Sequence, residues 1–303
     1  MSTRVAPSVD HLIGNTSLVG LRRVDPAHAG RVLVKLEYEN PGGSVKDRAA
    51  RAIIRAAERD GRLGPGKTLL DASSGNTGIA YAMLCAERGY RCEICVPGNA
   101  SAGRQDALRH YGATLVITDP LEGSDGAIRE ARQRYAARPN RYFYADQYSN
   151  PENVLAHYAT TGLEIWQQTR GRVTHFVAAL GTSGTFVGAG RRLREYNPKI
   201  GLVAVQPDSP LHVLEGLKHL PTAMVPAIYD PSAHQRTIHV ASEEAIAMVK
   251  RQARHGMLLG WSAGAALVAA ERVAQRLEHG VVVAILPDSA SRYLSDPLWG
   301  EEA

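Results

Sequence analysis

The sequence predicts an α/β protein made of two open parallel-sheet domains. Three observations predict it. Short β-rich runs alternate with helical patterns, several runs lead through a Gly/Ser-rich turn into an Ala-rich helix, and one irregular stretch separates two such halves. Strands are expected at Arg31–Tyr38, Lys67–Asp71, Arg91–Val96, Thr114–Thr118, Thr174–Leu180, Leu202–Gln206 and Val281–Leu286. Helical segments between most of them act as crossovers, which makes neighbouring strands parallel. The stretch Asp146-Gln147-Tyr148-Ser149-Asn150-Pro151 marks the seam between the halves.

Composition bounds the function. At 303 residues and 44% hydrophobic, the chain can bury a sizeable core. No stretch approaches the roughly 20 apolar residues of a membrane span, and Met1 to Asp10 lacks the apolar centre of a signal peptide, so a cytoplasmic protein is expected. Cys85, Cys92 and Cys95 are too few and too clustered for a disulfide framework. Cys92 and Cys95 share a C-x-x-C spacing, but inside an expected buried strand residues three apart face opposite sides, so no metal site is expected. The net charge of +5 comes from Lys and Arg scattered along amphipathic helices, without a basic run interleaved with aromatics. A solvated surface accounts for it and a nucleic-acid partner is not expected, although a mild positive field also attracts small anions.

Four loops carry candidate chemistry. In Asn40-Pro41-Gly42-Gly43-Ser44-Val45-Lys46-Asp47-Arg48, Ser44 and Asp47 have the spacing of a capping box, which puts Lys46 in the first turn of a helix. The positive end of the helix dipole and Arg48 both favour the neutral amine that imine chemistry requires, while a solvent-facing lysine in a charged first turn has the same pattern. The second loop, Asp71-Ala72-Ser73-Ser74-Gly75-Asn76-Thr77-Gly78, lies between a strand and an apolar helix. Its N–H groups and hydroxyls suit a carboxylate or phosphate, and a plain strand-to-helix turn looks alike. The third, Gly181-Thr182-Ser183-Gly184-Thr185, lets backbone approach an anion closely but lacks the P-loop pattern, which disfavours nucleotide hydrolysis. The fourth is Gly260-Trp261-Ser262-Ala263-Gly264. Four such loops at strand ends, with one lysine placed for imine formation, are hard to explain as turns alone.

These segments resemble the fold-type II pyridoxal-phosphate enzymes, specifically the cysteine synthases (O-acetylserine sulfhydrylases). The likeness extends to Ile13-Gly14-Asn15-Thr16, to His157-Tyr158-Ala159-Thr160-Thr161-Gly162 with Glu164-Ile165-Trp166, and to Arg292-Tyr293-Leu294-Ser295. The resemblance implies a smaller, mobile N-terminal domain over residues 1–145, part of whose N-terminal segment crosses to the other domain. It implies a larger cofactor domain over 146–303, with pyridoxal 5'-phosphate in the cleft between the two. It also implies a homodimer acting on small-molecule substrates.

Carried over residue by residue, Lys46 resembles the Schiff-base lysine and Asn76 the residue contacting the cofactor's 3-oxygen. Ser73, Ser74, Asn76 and Thr77 resemble the cradle of the substrate carboxylate, with Gln147 nearby. Gly181, Thr182, Ser183, Gly184 and Thr185 resemble the phosphate cup, and Ser262 the serine facing the pyridine nitrogen. The implied reaction is β-replacement of O-acetyl-L-serine by sulfide or thiosulfate, through an α-aminoacrylate, to give L-cysteine. Related β-replacements on O-phosphoserine, or a cystathionine β-synthase-like or cyanoalanine synthase-like activity, share that route.

Leu214 to Pro221 resembles the B-type enzymes, in which an arginine aligned with Lys218 assists anionic substrates. Lys218 keeps the charge without the guanidinium fork, and is expected to be either a substrate-side cation or a solvated helix-end lysine. Ser183 stands where relatives often have glycine. Trp261 replaces a small aliphatic residue, and its indole is expected to reshape the pocket or pack on the cofactor.

Overall fold

A computed structural model describes residues 5–21, 32–294 and 296–300. In chain order its strands are β1 (Leu18–Gly20), β2 (Val32–Leu36), β3 (Thr68–Ala72), β4 (Arg91–Pro97), β5 (Thr114–Thr118), β6 (Tyr142–Tyr144), β7 (His175–Ala179), β8 (Gly201–Pro207), β9 (Arg236–Val240) and β10 (Val282–Leu286). The α-helices are α1 (Lys46–Arg59), α2 (Asn76–Arg88), α3 (Ala102–His110), α4 (Gly123–Ala137), α5 (Pro151–Ala159), α6 (Thr161–Gln168), α7 (Gly184–Tyr196), α8 (Ser242–Ala253) and α9 (Trp261–Ala274).

The chain divides into two compact units. One comprises Met1–Asn15 and Asn40–Asn153, the other Thr16–Glu39 and Val154–Ala303. The first holds a four-stranded, fully parallel sheet in the order β5-β4-β3-β6. Every residue of β3 is buried, as a parallel strand covered on both faces requires. Helix α1 buries Ala49, Ala50, Ile53, Ile54, Ala56 and Ala57 and leaves the remaining face to Arg51, Arg55 and Arg59; the i, i+3, i+4, i+7 spacing makes the apolar stripe. Gly61, at φ +70°, follows its end, a conformation glycine adopts without a steric penalty. Asp10 stands between Arg55 and Arg88 and ties the N-terminal 3-10 turn Val9–Leu12 to α1 and α2.

The second unit holds a six-stranded sheet, β1-β2-β10-β7-β8-β9, parallel except for β1. Helix α9 is buried along most of its length and lies at the centre of that unit's core. Two glycines bring helices close. A Cβ on Gly264 would sit 2.3 Å from the Ala245 carbonyl oxygen of α8, and one on Gly188 of α7 would sit 2.2 Å from the Val154 carbonyl oxygen of α5.

All seven expected strands are present with shifts of a residue or two at their ends. Arg31, the first residue of one of them, lies outside the described residues, and that strand stops at Leu36 because Glu37–Glu39 turn into a 3-10 helix. Strands β1, β6 and β9 were not anticipated. β1 and β6 have three residues each, and β9 alternates exposed His and Arg with only two buried positions, so neither presents a long apolar run.

Candidate active site

In the first unit, Lys46 is the first residue of α1. The loop before it is tightly folded. Gly43, at φ +79°, closes a turn by donating its N–H to the Asn40 carbonyl (2.7 Å), and the Asn40 side chain accepts the Gly14 N–H (2.8 Å). The Ile13–Thr16 segment thereby braces the loop that presents Lys46. The expected capping box is absent in that form, since the helix cap is Val45 and not Ser44. The Ser44 hydroxyl instead accepts the Lys46 N–H (3.2 Å), and the buried Asp47 carboxylate reaches beyond the cap to the Gly42 N–H (2.5 Å). A Cβ on Gly42 would lie 2.4 Å from that carboxylate, so the bare glycine is what allows the loop to close over Asp47.

The second loop runs from the end of β3 into α2. Ser73 is buried, and its Oγ accepts the N–H groups of Gly75 (3.1 Å) and Gly78 (2.9 Å). Both lone pairs being engaged, its hydroxyl proton remains as a donor. Thr77 donates to Gln147 Oε1 (2.6 Å), Gln147 Nε2 donates to the Ala72 carbonyl (2.7 Å), and the Asn153 amide donates to the Gln147 carbonyl (2.8 Å). Gln147 therefore staples both ends of the loop, leaving one amide N–H in hand. Ser74 and Asn76 are half-buried.

Two residues here were missed from sequence. Asp71, fully buried, accepts the Ala72 and Gln147 backbone N–H groups (2.8 and 3.2 Å), and burial pushes its carboxyl up to about 7. Arg104 of α3 is buried with its guanidinium against Gly75, where a Cβ would be 2.9 Å from Nε. Arg104 carried no signal, because it lies in an ordinary helix pattern, and Asp71 stood out only as the first residue of the loop.

In the second unit, Gly181–Thr185 joins β7 to α7. A Cβ on Gly181 would sit 2.1 Å from the Gly216 carbonyl oxygen, so the backbones meet with no room for a side chain. Lys218 N–H donates to the Leu180 carbonyl (2.9 Å) and pins the Leu214–Lys218 segment to the start of this loop. Thr182 Oγ1 accepts the Gly184 N–H (3.4 Å). Ser183 adopts φ +71°, the conformation that explains a preference for glycine, and its buried Oγ has no hydrogen-bond partner among the described residues. A buried hydroxyl without a partner, at a helix start with outward N–H groups, fits an anionic phosphate oxygen. His157 and Thr185 are joined through Nε2 and Oγ1 (3.2 Å).

Ser262 is the second residue of α9 and is buried. Trp261 corrects the expectation placed on it. Its indole N–H donates to Asp296 Oδ2 (3.1 Å), and its ring lies 5.0 Å from Trp299 and 6.3 Å from Tyr293, so the indole anchors the C-terminal segment. Lys218 is 6% exposed and lies in irregular backbone, which rules out a solvated helix-end lysine. Ser295, part of the expected C-terminal motif, lies outside the described residues. Cys85, Cys92 and Cys95 are buried free thiols, and burial pushes Cys95 up to about 12.

The family described as pyridoxal-phosphate dependent enzyme matches residues 9–288, and the chain belongs to it. Within that family, the chain is 44% identical to a cysteine synthase of Aquifex aeolicus, over 96% of this chain and 91% of that one. It is 42% identical to cysteine synthase B of Escherichia coli, over 97% of each. The crystal structure of a cysteine synthase from Entamoeba histolytica superposes with a TM-score of 0.93 at 34% identity, covering 100% of this chain and 94% of that one.

Proposed function

We propose that the chain is a pyridoxal-phosphate-dependent cysteine synthase of the B type, which replaces the acetoxy group of O-acetyl-L-serine with sulfur from sulfide or thiosulfate to give L-cysteine. The observation that carries this is identity of 42 to 44% to cysteine synthases over nearly the whole chain. When bound, pyridoxal phosphate supplies an imine that acidifies the substrate Cα and lets the β-substituent depart.

The chain's own residues do the rest. Lys46 Nζ would hold the cofactor and, as a free neutral amine, would take the proton from the substrate Cα and later return it. The Ser73 proton, the helix-start N–H groups of Asn76 and Thr77, and the spare Gln147 amide proton hold the substrate carboxylate, with Ser74 beside them. Asn76 would also contact the ring oxygen of the cofactor. Gly181, Thr182, Ser183, Gly184 and Thr185 hold the phosphate. Ser262 would face the pyridine nitrogen with a hydroxyl, which unlike a carboxylate would not hold that nitrogen protonated.

Lys218 acts as the cation for an anionic sulfur donor. The protein is proposed to work as a cytoplasmic homodimer whose smaller domain, residues 1–145 except for the N-terminal segment that crosses to the other, moves against the larger, on the strength of the family resemblance.

Product analysis tests the activity. Purified enzyme is expected to form L-cysteine from O-acetylserine and sulfide faster than from O-phosphoserine or serine, and Lys218→Ala to lose thiosulfate-dependent turnover about tenfold more than sulfide-dependent turnover. Equal losses for the two donors would remove Lys218 from that role, and a preference for O-phosphoserine would change the substrate.

A further inference from the structure

His157 is a buried histidine for which the proposed chemistry has no use. It lies on α5, 1% exposed, between two threonine hydroxyls: Nδ1 is 2.9 Å from Thr161 Oγ1, the first residue of α6, and Nε2 is 3.2 Å from Thr185 Oγ1, the second residue of α7. The close approach depends on glycine. Gly188 of α7 has no side chain to hold α5 away, since a Cβ there would lie 2.9 Å from His157 Cβ, and a Cβ on Gly162 of α6 would lie 2.9 Å from the Ala189 carbonyl oxygen of α7.

Three groups in a row, hydroxyl, imidazole, hydroxyl, allow two arrangements of protons when the imidazole is neutral. In one, Thr161 donates to Nδ1, Nε2–H donates to Thr185 Oγ1, and the Thr185 proton is left to point away from the histidine. In the other, Nδ1–H donates to Thr161 and the Thr185 proton is spent on Nε2, so Thr185 turns only lone pairs outward. A dianion beside Thr185 is stabilised by the first and repelled by the second.

We infer that His157 is a positioning residue, held as the Nε2–H tautomer by Thr161, that frees the Thr185 hydroxyl to donate to the cofactor phosphate. This rests on the proposed role of Gly181–Thr185 as the phosphate cup. The relay extends the cup from the loop itself to α5 and α6, and gives Thr161 a part in cofactor binding although it does not belong to the loop.

Nitrogen-15 NMR of histidine-labelled holoenzyme reads the tautomer directly, and equilibrium binding of pyridoxal phosphate and of pyridoxal to the apoprotein reads its consequence. The expected result is Nε2 protonated and Nδ1 bare. His157→Gln, whose amide can still donate to Thr185, should keep pyridoxal phosphate affinity within about threefold, whereas His157→Leu should lose about tenfold for pyridoxal phosphate and little for pyridoxal. A proton on Nδ1 with bare Nε2 would overturn the inference whatever the variants do. So would unchanged pyridoxal phosphate affinity and an unchanged phosphorus-31 shift of the bound phosphate in His157→Leu, with the cup itself still standing. Equal affinity of the wild-type protein for pyridoxal and pyridoxal phosphate would instead remove the cup, and the relay with it.

Discussion

Ser183 and Asp71 each hold a cost within the folded chain. Ser183 sits at φ +71° with a buried hydroxyl that has no partner among the described residues, an arrangement that costs on the order of 1 kcal/mol in backbone strain before desolvation is counted. Ser183→Gly is expected to raise the stability of the cofactor-free protein by about 1 kcal/mol in urea titrations while weakening its affinity for pyridoxal phosphate, since a donor is lost. A variant that gained both stability and affinity would mean that the hydroxyl does not meet the phosphate.

Asp71 has the opposite character, because its bonds to the Ala72 and Gln147 N–H groups favour the carboxylate but burial outweighs them. Its folded value of about 7 lies above the ordinary 3.8, so between these two values the folded chain binds more protons than the unfolded one. Its contribution is therefore fully present below about pH 4 and is lost as pH rises through 7. Asp71→Asn is expected to flatten this fall in denaturation experiments run from pH 4.5 to 7.5. An identical slope in the variant would assign the pH dependence elsewhere.

At the scale of elements, glycine permits close helix approach at three places, between α8 and α9, α5 and α7, and α6 and α7. Gly264→Ala would bring a methyl group to 2.3 Å from the Ala245 carbonyl oxygen and force α9 from α8. A loss of about 1–3 kcal/mol is expected from thermal unfolding, with cofactor binding weakened because Ser262 rides on α9.

The elements also show what sequence could reveal. Strands such as β8 and β10 are buried along nearly all their length and stand out as apolar runs, and the loops that follow β3 and β7 advertise themselves by Gly, Ser and Thr at a helix start. What stayed hidden depends on partners distant in the chain. Lys35 in β2 is fully buried because it meets Glu164 (2.7 Å), the Thr16 carbonyl (2.6 Å) and Gln168, which is 133 residues away. The direction of the Trp261 indole is set by Asp296 and Trp299, and the pairing of His157 with Thr185 by a helix approach that Gly188 permits. No local pattern encodes such contacts. The Ser44–Asp47 spacing misled for a related reason: the glycines upstream gave Asp47 a better partner in Gly42.

For the whole molecule, two units each carry their own sheet and core, and the chain leaves the first unit after Asn15 to contribute β1 and β2 to the second before returning at Asn40. The return point is the loop that presents Lys46, so the segment that ends in β2 leads directly to the proposed imine. No helix among the described residues is long and apolar enough to cross a membrane. The net charge of +5 suits a protein whose proposed cofactor and sulfur donors are anions.

The central claim is that Lys46 carries pyridoxal phosphate and serves O-acetylserine. It is tested most directly by the visible absorbance spectrum of the purified protein, with and without O-acetylserine, beside that of Lys46→Ala. The account predicts a band of lysine-bound cofactor that shifts when O-acetylserine is added, and a variant without that band. A wild-type spectrum that stays featureless after pyridoxal phosphate is supplied, or a variant that keeps the lysine-bound band, would contradict it.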